Sequence, residues 1–260
     1  MVPRAFATAV LVAVSLAWAA PAHAERLIAS ISRHQVLVSS SFTGTSIVLF
    51  GTVEPDRPTG RMRDAYDIVV TVTGPRQTLV TRRKERLFGI WANAASRTFV
   101  NVPSYLAVLA NRPFVDIANT DTLRRLQIGL DFFQLPQQIG PDVADVVRDD
   151  PYRVNFIRLK TEHQLYAQRS NGVTFLTPTL FRAEIRLPAE APFGSYEADI
   201  KLLAAGNLLV RTNAPFEVVK VGFEQFVANA ARDYGLLYGI VTVMMALATG
   251  WLASVVFRRD

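Results

Sequence analysis

The residues best suited to chemistry are a cluster of basic side chains in the first third of the chain. Eight fall within thirty residues, with few acids between them: Arg57, Arg61, Arg63, Arg76, Arg82, Arg83, Lys84 and Arg86. Arg82, Arg83 and Lys84 close a predicted strand. Guanidinium and ammonium groups bind oxyanions, acidic protein surfaces and anionic headgroups. We therefore take the last four of the eight as candidate residues for anion or partner binding, with a solvated strand face as the simpler interpretation.

A second group, four aspartates around Arg148, offers carboxylate chemistry. These are Asp142, Asp145, Asp149 and Asp150. Carboxylates can act as general acid and base or hold calcium, which makes a hydrolase an alternative function. The spacing lacks the D-x-D-x-D-G pattern of a calcium loop, and aspartates here equally predict helix N-caps.

Other catalytic and metal-binding chemistry has little support in the sequence. The chain has no cysteine, which excludes disulfides, thiolate nucleophiles and thiolate metal sites. Beyond the N-terminal segment the histidines are His34 and His163, and no H-E-x-x-H, G-x-S-x-G or G-x-x-x-x-G-K motif is present. We expect no catalytic residue, no metal and no cofactor.

The elements that must position these residues lie between two apolar segments, which raise the apolar fraction of the chain to half. Residues 5–20 hold 14 apolar residues in 16 and are followed by an Ala-x-Ala site at residues 22–24. This pattern predicts a signal peptide at 1–24 and a mature chain that starts at Glu25. An uncleaved N-terminal anchor is the alternative.

Residues 235–257 form the second segment, with 17 apolar residues in 23 and no charge. As a helix they extend about 35 Å, enough to cross a bilayer core of about 30 Å. Two arginines follow directly, and basic residues favour the cytoplasmic side. We predict a single-pass protein with residues 25–221 exported, a juxtamembrane amphipathic helix at 222–234 and a cytoplasmic tail at 258–260.

Small residues recur on one face of this predicted span, at Gly235, Gly239, Ala246 and Gly250. Small side chains at this spacing allow helices to pack closely in a membrane. These are candidate positions for association with a second copy of the chain or with a polytopic partner. Chance composition is the alternative.

The formal charge of +6 is too small to indicate a nucleic-acid-binding protein. Without Arg4, Arg258, Arg259 and Asp260, the exported part has 25 basic and 21 acidic residues. Since this excess is weak and the domain is expected outside the cytoplasm, we exclude nucleic acid as a partner.

The exported part has strand-like periodicity at both ends and helical periodicity in the middle. Strands are predicted at 47–53, 66–73, 77–84, 88–92, 97–102, 181–187, 196–202, 208–212 and 216–221. Helix starts are predicted near Pro103, Asp121, Pro141 and Asp150. Neither group of strands suffices alone for a two-sheet fold.

We therefore predict a mainly β protein with an α insertion. Its core is an immunoglobulin-like β-sandwich, interrupted by a helical segment at about 103–170 and followed by one C-terminal transmembrane helix. Two tandem β domains are the alternative.

Short motifs of the chain are similar to those of a known family. In order, they are Asp67-Ile68-Val69-Val70, Gly74-Pro75, Arg83-Lys84-Glu85-Arg86, Gly89-Ile90-Trp91 and Asn101-Val102-Pro103-Ser104-Tyr105. With the closing helix and its basic end, they resemble the Alph_Pro_TM family of alphaproteobacterial transmembrane proteins. The resemblance covers most of the mature chain. The family has no established activity, so the resemblance supplies no catalytic residue, and it fits a helper beside a permease. From the predicted signal peptide and orientation, we expect a periplasmic domain anchored in the bacterial inner membrane.

The sequence thus favours a non-enzymatic, membrane-anchored module that binds a membrane partner such as a permease. A periplasmic receptor for small anions, built on the basic strand patch, is the first alternative. A hydrolase that uses the carboxylates of residues 142–150 is the second.

Overall fold

The computed structural model describes residues 25–39, 42–54, 66–87, 89–145, 148–222 and 231–256. The predicted signal peptide, most of the predicted juxtamembrane helix and the cytoplasmic tail lie outside these residues. Within them the protein has three β-sheets, three helices among the strands, a helical stretch at 231–233 and one long C-terminal helix. The prediction of a mainly β fold with helical segments and a C-terminal apolar helix is confirmed.

One sheet is antiparallel and has four strands. In sheet order they are β1 (Arg26–Ile31), β3 (Gly44–Glu54), β12 (Leu180–Pro188) and β11 (Val173–Phe175). In β12, Phe181, Ala183 and Ile185 are buried while the charged residues between them are exposed. The alternation gives this sheet one core face and one solvent face, as the sequence predicts.

The second sheet has six strands. In sheet order they are β10 (Tyr166–Arg169), β7 (Leu106–Ala110), β4 (Tyr66–Thr73), β13 (Gly194–Ala204), β14 (Asn207–Lys220) and β2 (Gln35–Val38). The two edge pairs are parallel and the inner pairs antiparallel. Strand β7 is buried along its whole length, so its part of the sheet is covered on both faces.

The first two sheets share one hydrophobic core. The hydroxyl of Tyr105, next to β7, donates a hydrogen bond to the carbonyl of Arg186 on β12 at 2.8 Å. The other face of the six-stranded sheet carries the segment 111–135, where Arg112 forms a bidentate ion pair with the fully buried Asp67 of β4. The six-stranded sheet is therefore the middle layer of the domain.

Four helices complete the described fold. They are α1 (Phe114–Ile117), α2 (Thr120–Arg125), α3 (Pro151–Glu162) and α4 (Gly235–Val256). Asp150 caps α3 by accepting a hydrogen bond from the backbone N–H of Arg153 at 3.0 Å, so this predicted helix start is confirmed. The helix predicted at Asp121 also exists, but Asn119 is its cap.

The third sheet contains a long hairpin that extends beyond its neighbours. In sheet order its strands are β5 (Arg76–Leu87), β6 (Ile90–Pro103), β8 (Pro136–Ile139) and β9 (Asp142–Asp145). Strand β8 pairs with β6 only at Thr98 and Phe99. Residues 81–97 therefore form a two-stranded ribbon with no third strand in the described structure, which we call the outer ribbon.

Within residues 103–170 two predicted helices are wrong. The stretch from Pro103 to Pro113 contains β7, because a strand buried on both faces is apolar throughout and loses the alternation that would reveal it. Where the sequence predicts a helix from Pro141, the structure has the strand β9. Gly140 has φ +64 and turns the chain between β8 and β9, a conformation that suits glycine.

In two places the sequence predicts two short strands where the structure has one long strand. The pieces at 88–92 and 97–102 are joined in β6, where Ala94 forms a bulge and Phe88 lies outside the described residues. The pieces at 208–212 and 216–221 are joined in β14 across Pro215. Proline is tolerated there because β2 pairs with β14 only from Glu217 onwards, which leaves Pro215 at a sheet edge.

Candidate binding surface on the outer ribbon

The four predicted binding residues lie on β5, in the outer ribbon. Of the other basic residues in the predicted cluster, Arg76 begins β5, and Arg57, Arg61 and Arg63 lie outside the described residues. Arg83 is paired with Ala95 of β6 and Lys84 with Asn93, so the bulge at Ala94 lies opposite the middle of the basic cluster. A bulge increases the local twist and changes the direction of the side chains around it. Arg82, Arg83, Lys84 and Arg86 are exposed.

Three of the four predicted residues line a groove between the ribbon and α3, with a volume of about 220 Å³. Arg82, Arg83 and Lys84 form one wall, and Tyr152 and Arg158 belong to the other. Among the described residues, no acidic side chain lines this ribbon groove. Four positive side chains around one concave surface make it suitable for an anionic group.

Two of these four cations already have acidic partners. The Arg83 guanidinium donates to the Glu85 carboxylate, with 2.7 Å between Nε and Oε1, and this hydrogen bond raises the pKa of Arg83. Arg158 forms an exposed ion pair with Glu162 at 2.8 Å. In the described part of the chain, Arg82 and Lys84 have no ion pair, so they are the most available donors.

The fourth predicted residue, Arg86, lies outside the groove and beside the tip of the ribbon. It is paired in register with Trp91 of β6. Trp91 is 71% exposed and its neighbour Ile90 is 69% exposed. The tip therefore combines a large apolar surface with adjacent positive charge.

The base of the ribbon is fixed in the core. Phe99 of β6 is fully buried and stacks on Phe156 of α3, with 4.2 Å between ring centroids. Arg97 lies over the Tyr152 ring at 5.2 Å. An isolated two-stranded ribbon is marginally stable in water, so these contacts with α3 stabilise it and fix the ribbon groove.

The aspartates proposed for hydrolysis serve structural purposes in part. Asp145 accepts hydrogen bonds from Arg153 and from the backbone N–H of Leu135, and Asp150 caps α3. Among the described residues no group of three histidines or acids is placed to hold a metal ion. His163 contacts Glu190 at 2.9 Å, and His34 is exposed.

The predicted small-residue face lies on α4. Gly235, Gly239, Ala246 and Gly250 are all exposed, as is every described residue of this helix. At 22 residues α4 is about 33 Å long, and it is long and apolar enough to cross a membrane. Association through this face stays a prediction.

Two features of the surface were missed from sequence alone. Arg158 is far from β5 in sequence, and only the packing of α3 against the ribbon brings it into the groove. Ile90 and Trp91 were assigned to an ordinary strand. The signal for an exposed tip was available in the Gly89 turn next to two large apolar residues that follow a basic run.

A β-rich domain with an exposed basic ribbon is followed by an apolar helix of membrane-spanning length, the one candidate span among the described residues. These features define a membrane protein with a candidate span near its C-terminus. The chain belongs to the family described as "Putative transmembrane protein (Alph_Pro_TM)", whose model matches residues 26–259. The family resemblance seen in the sequence is thus confirmed. No curated protein matches the chain.

Proposed function

We propose that this protein is an exported, single-pass protein of the bacterial inner membrane that acts by binding a membrane partner and not by catalysis. Helix α4 is the anchor. The apolar segment at 5–20 supports export, and Arg258 and Arg259 after the anchor support a cytoplasmic C-terminus. In this orientation the β domain and the outer ribbon lie in the periplasm, close to the membrane surface.

The outer ribbon has the composition of a protein-binding surface. Tryptophan and arginine are the residue types that contribute most to interface affinity. Trp91 is largely exposed, Arg86 lies opposite it, and Arg82 and Lys84 follow along the same strand. An exposed tryptophan on a ribbon whose base is fixed in the core is the observation that best supports a docking role.

The chemistry of the ribbon specifies a complementary partner. Between residues 81 and 97 there are five basic residues and one acid, Glu85. A partner would need an acidic rim around an apolar depression that accepts Trp91. Since α4 keeps the domain at the bilayer, the partner is expected to be a membrane protein. We therefore propose that the acidic rim and the apolar depression belong to the periplasmic loops of a polytopic transporter such as a permease.

Photocrosslinking of the full chain in native membranes tests the docking role. A photoreactive residue replaces Trp91, and in a control it replaces Val115 of α1, which is exposed on another surface. We expect position 91 to give an adduct with one membrane-spanning protein, reduced when Arg82 and Lys84 are changed to glutamate. Adducts with lipid only, or equal adducts from both positions, would contradict the proposal.

Cysteine labelling tests the orientation independently, because the chain has no natural cysteine. Val115→Cys places a thiol on the β domain and Asp260→Cys places one after the span. We expect a membrane-impermeant maleimide to label the first in intact spheroplasts and the second only after lysis. The reverse pattern would exclude a periplasmic domain.

A receptor for small anions is the second candidate, since the ribbon groove has four cations and no acidic lining residue that the structure describes. In that case, phosphate would stabilise the protein, and the double change of Arg82 and Lys84 to glutamine would remove the effect. The crosslink from position 91 would then be absent.

A further inference from the structure

A second charged cavity lies on the face of the six-stranded sheet opposite the shared core. It has a volume of about 350 Å³ and lies between β4, β13 and β14 and the chain that follows α2. Six charged side chains line it: Arg76, Arg125, Lys201, Arg211, Glu197 and Asp199. The volume is within the range of small-molecule sites. The ribbon groove contributes no residue to it.

One of the two acids of this charged cavity, Asp199, is already paired with cations. Asp199 accepts hydrogen bonds from Lys201 and from Arg211, the latter at 2.7 and 3.0 Å. Glu197 accepts one from the Asn213 amide at 2.5 Å. The amide is neutral, so Glu197 keeps its charge, but four cations against two acids still leave the cavity lining net positive.

Two of the four cations keep free donors. Arg125 at the end of α2 has no hydrogen bond or ion pair among the described residues. Arg76 donates from Nη1 to the carbonyl of Asn101 at 2.9 Å, which leaves its other N–H groups available. Arginine presents several N–H groups in a fixed plane, which matches the geometry of carboxylate and phosphate oxygens.

Buried polar groups distinguish this cavity from a surface depression. Thr71 is 3% exposed, and its Oγ1 has no hydrogen-bond partner in the described structure. Lys201 is 4% exposed, and burial lowers its pKa. A buried hydroxyl without a partner costs free energy, and a ligand oxygen would remove that cost.

The backbone at the cavity is also unusual. Gln127, which lines it, has φ +53, a left-handed conformation that glycine adopts readily and glutamine does not. Such conformations are concentrated at binding and catalytic sites, where the surrounding structure holds them in place.

We propose that the charged cavity binds a small molecule with a carboxylate or phosphate group. Arg125 and Arg76 donate to the anionic oxygens, the Thr71 hydroxyl donates to a further oxygen, and the buried Lys201 adds positive potential from the cavity wall. This site is independent of the proposed function of the outer ribbon.

Ligand binding by the full chain in detergent micelles tests this assignment, with sodium phosphate and sodium succinate as probes at constant ionic strength. We expect one of the two to raise the melting temperature with saturation. Arg125→Gln should weaken that binding by about tenfold or more, as expected for a lost charge-assisted hydrogen bond. Arg124→Gln, on the same helix but outside the cavity, should bind as the wild type does.

Thr71→Val distinguishes a cavity that binds a ligand from one that does not. Valine keeps the shape and removes the unpartnered hydroxyl, so the variant without ligand should be at least as stable as the wild type, while its response to the probe should weaken. No saturable response to either probe, or an equal response in Arg125→Gln, would overturn the proposal. A response lost on changing Arg82 and Lys84 instead would place the anion in the ribbon groove and overturn it too.

Discussion

Arg153 and Asp145 form an ion pair that joins α3 to β9. Arg153 is 2% exposed, and its Nη1 lies 3.1 Å from Oδ1 of Asp145. Its Nη2 donates to the carbonyl of Phe133 at 2.6 Å and to that of Asp131 at 3.2 Å. One buried guanidinium therefore connects the helix that supports the outer ribbon to the β8–β9 hairpin and to the turn before it.

Asp145→Asn is expected to lower stability, and Asp149→Asn to leave it unchanged. Losing the carboxylate leaves the buried Arg153 charge without its counter-ion, at a cost of about 1–3 kcal/mol because Asp145 is partly exposed. Asp149 has no ion pair in the described structure. Melting temperatures of both variants in detergent measure the difference, and equal values would show that the backbone carbonyls alone satisfy Arg153.

The sequence predicts best the elements in which one face is buried. The alternation in β12 is clear because exposed charged residues occupy every second position. In β13 polar residues alternate as far as Lys201, and this was enough to predict the strand although its C-terminal half is buried on both faces. Strand β7 has no such contrast, since both its faces are covered, and its apolar run was assigned to a helix. Tertiary context, which periodicity does not contain, decides such segments.

The candidate sites show the same dependence on context. Arg82 and Lys84 were found because they are neighbours in sequence on one strand. The charged cavity could not be predicted from the sequence, because Thr71, Arg125 and Lys201 come from three elements that are distant in sequence. Only the register of β4 against β13, together with the path of the chain after α2, places them around one space.

Gly51→Ala should destabilise the β domain through steric overlap. A Cβ at this position would lie 2.3 Å from Cζ of Phe181, which is fully buried and paired with Gly51 across the sheet. Because the ring is fully buried and the backbone oxygen of Ile28 would also lie 2.9 Å from this Cβ, we expect a loss of about 1–3 kcal/mol. Gly222→Ala, where a Cβ meets no atom, is the matched control. Phe181→Leu in the Gly51→Ala background should restore part of the melting temperature, and failure to do so would exclude the ring as the cause.

Stability should fall steeply above about pH 10.5. Burial raises the pKa of Tyr105, Tyr166 and Tyr196 above the usual 10.0. Because the pKa is higher in the folded state, the unfolded chain loses these protons first as the pH rises. The contribution of the three tyrosines to the free energy of unfolding is therefore intact below pH 10.0 and falls above it by about 1.4 kcal/mol per pH unit for each tyrosine.

Two lysines, the half-buried Lys160 and the buried Lys201, act in the opposite direction over a limited range. Burial lowers the pKa of Lys160 and of Lys201 below 10.5, so the folded state gains stability as the pH approaches 10.5 and nothing further above it. Melting temperatures measured from pH 8 to 12 report the combined effect of the tyrosines and the lysines. Tyr196→Phe should reduce the slope above pH 10.5 by about a third, since it removes one of three tyrosines. An unchanged slope would contradict this origin.

Gly239→Ile tests association through α4. If small residues let two helices approach closely, a branched side chain at Gly239 should separate them, and the fraction of associated chains should fall. Energy transfer between labelled full-length chains in lipid vesicles measures self-association. Val241→Ile, which adds bulk on the opposite face of the helix, is the control, and equal energy transfer in wild type and both variants would exclude the small-residue face as a site of self-association.

Trp91→Ser should separate binding from folding. Trp91 is 71% exposed, so its loss should change stability by no more than about 0.5 kcal/mol, whereas an interface tryptophan typically contributes at least about 2 kcal/mol to affinity. We therefore expect an unchanged melting temperature together with the loss of a crosslink that a photoreactive residue at Arg86 gives in the wild type. Phe99→Ser is the opposite control, because Phe99 lies in the core against Phe156 and its loss should lower stability. If Trp91→Ser lowered the melting temperature as much as Phe99→Ser does, the tryptophan would be packed within its own chain and the ribbon tip would not be a free docking surface.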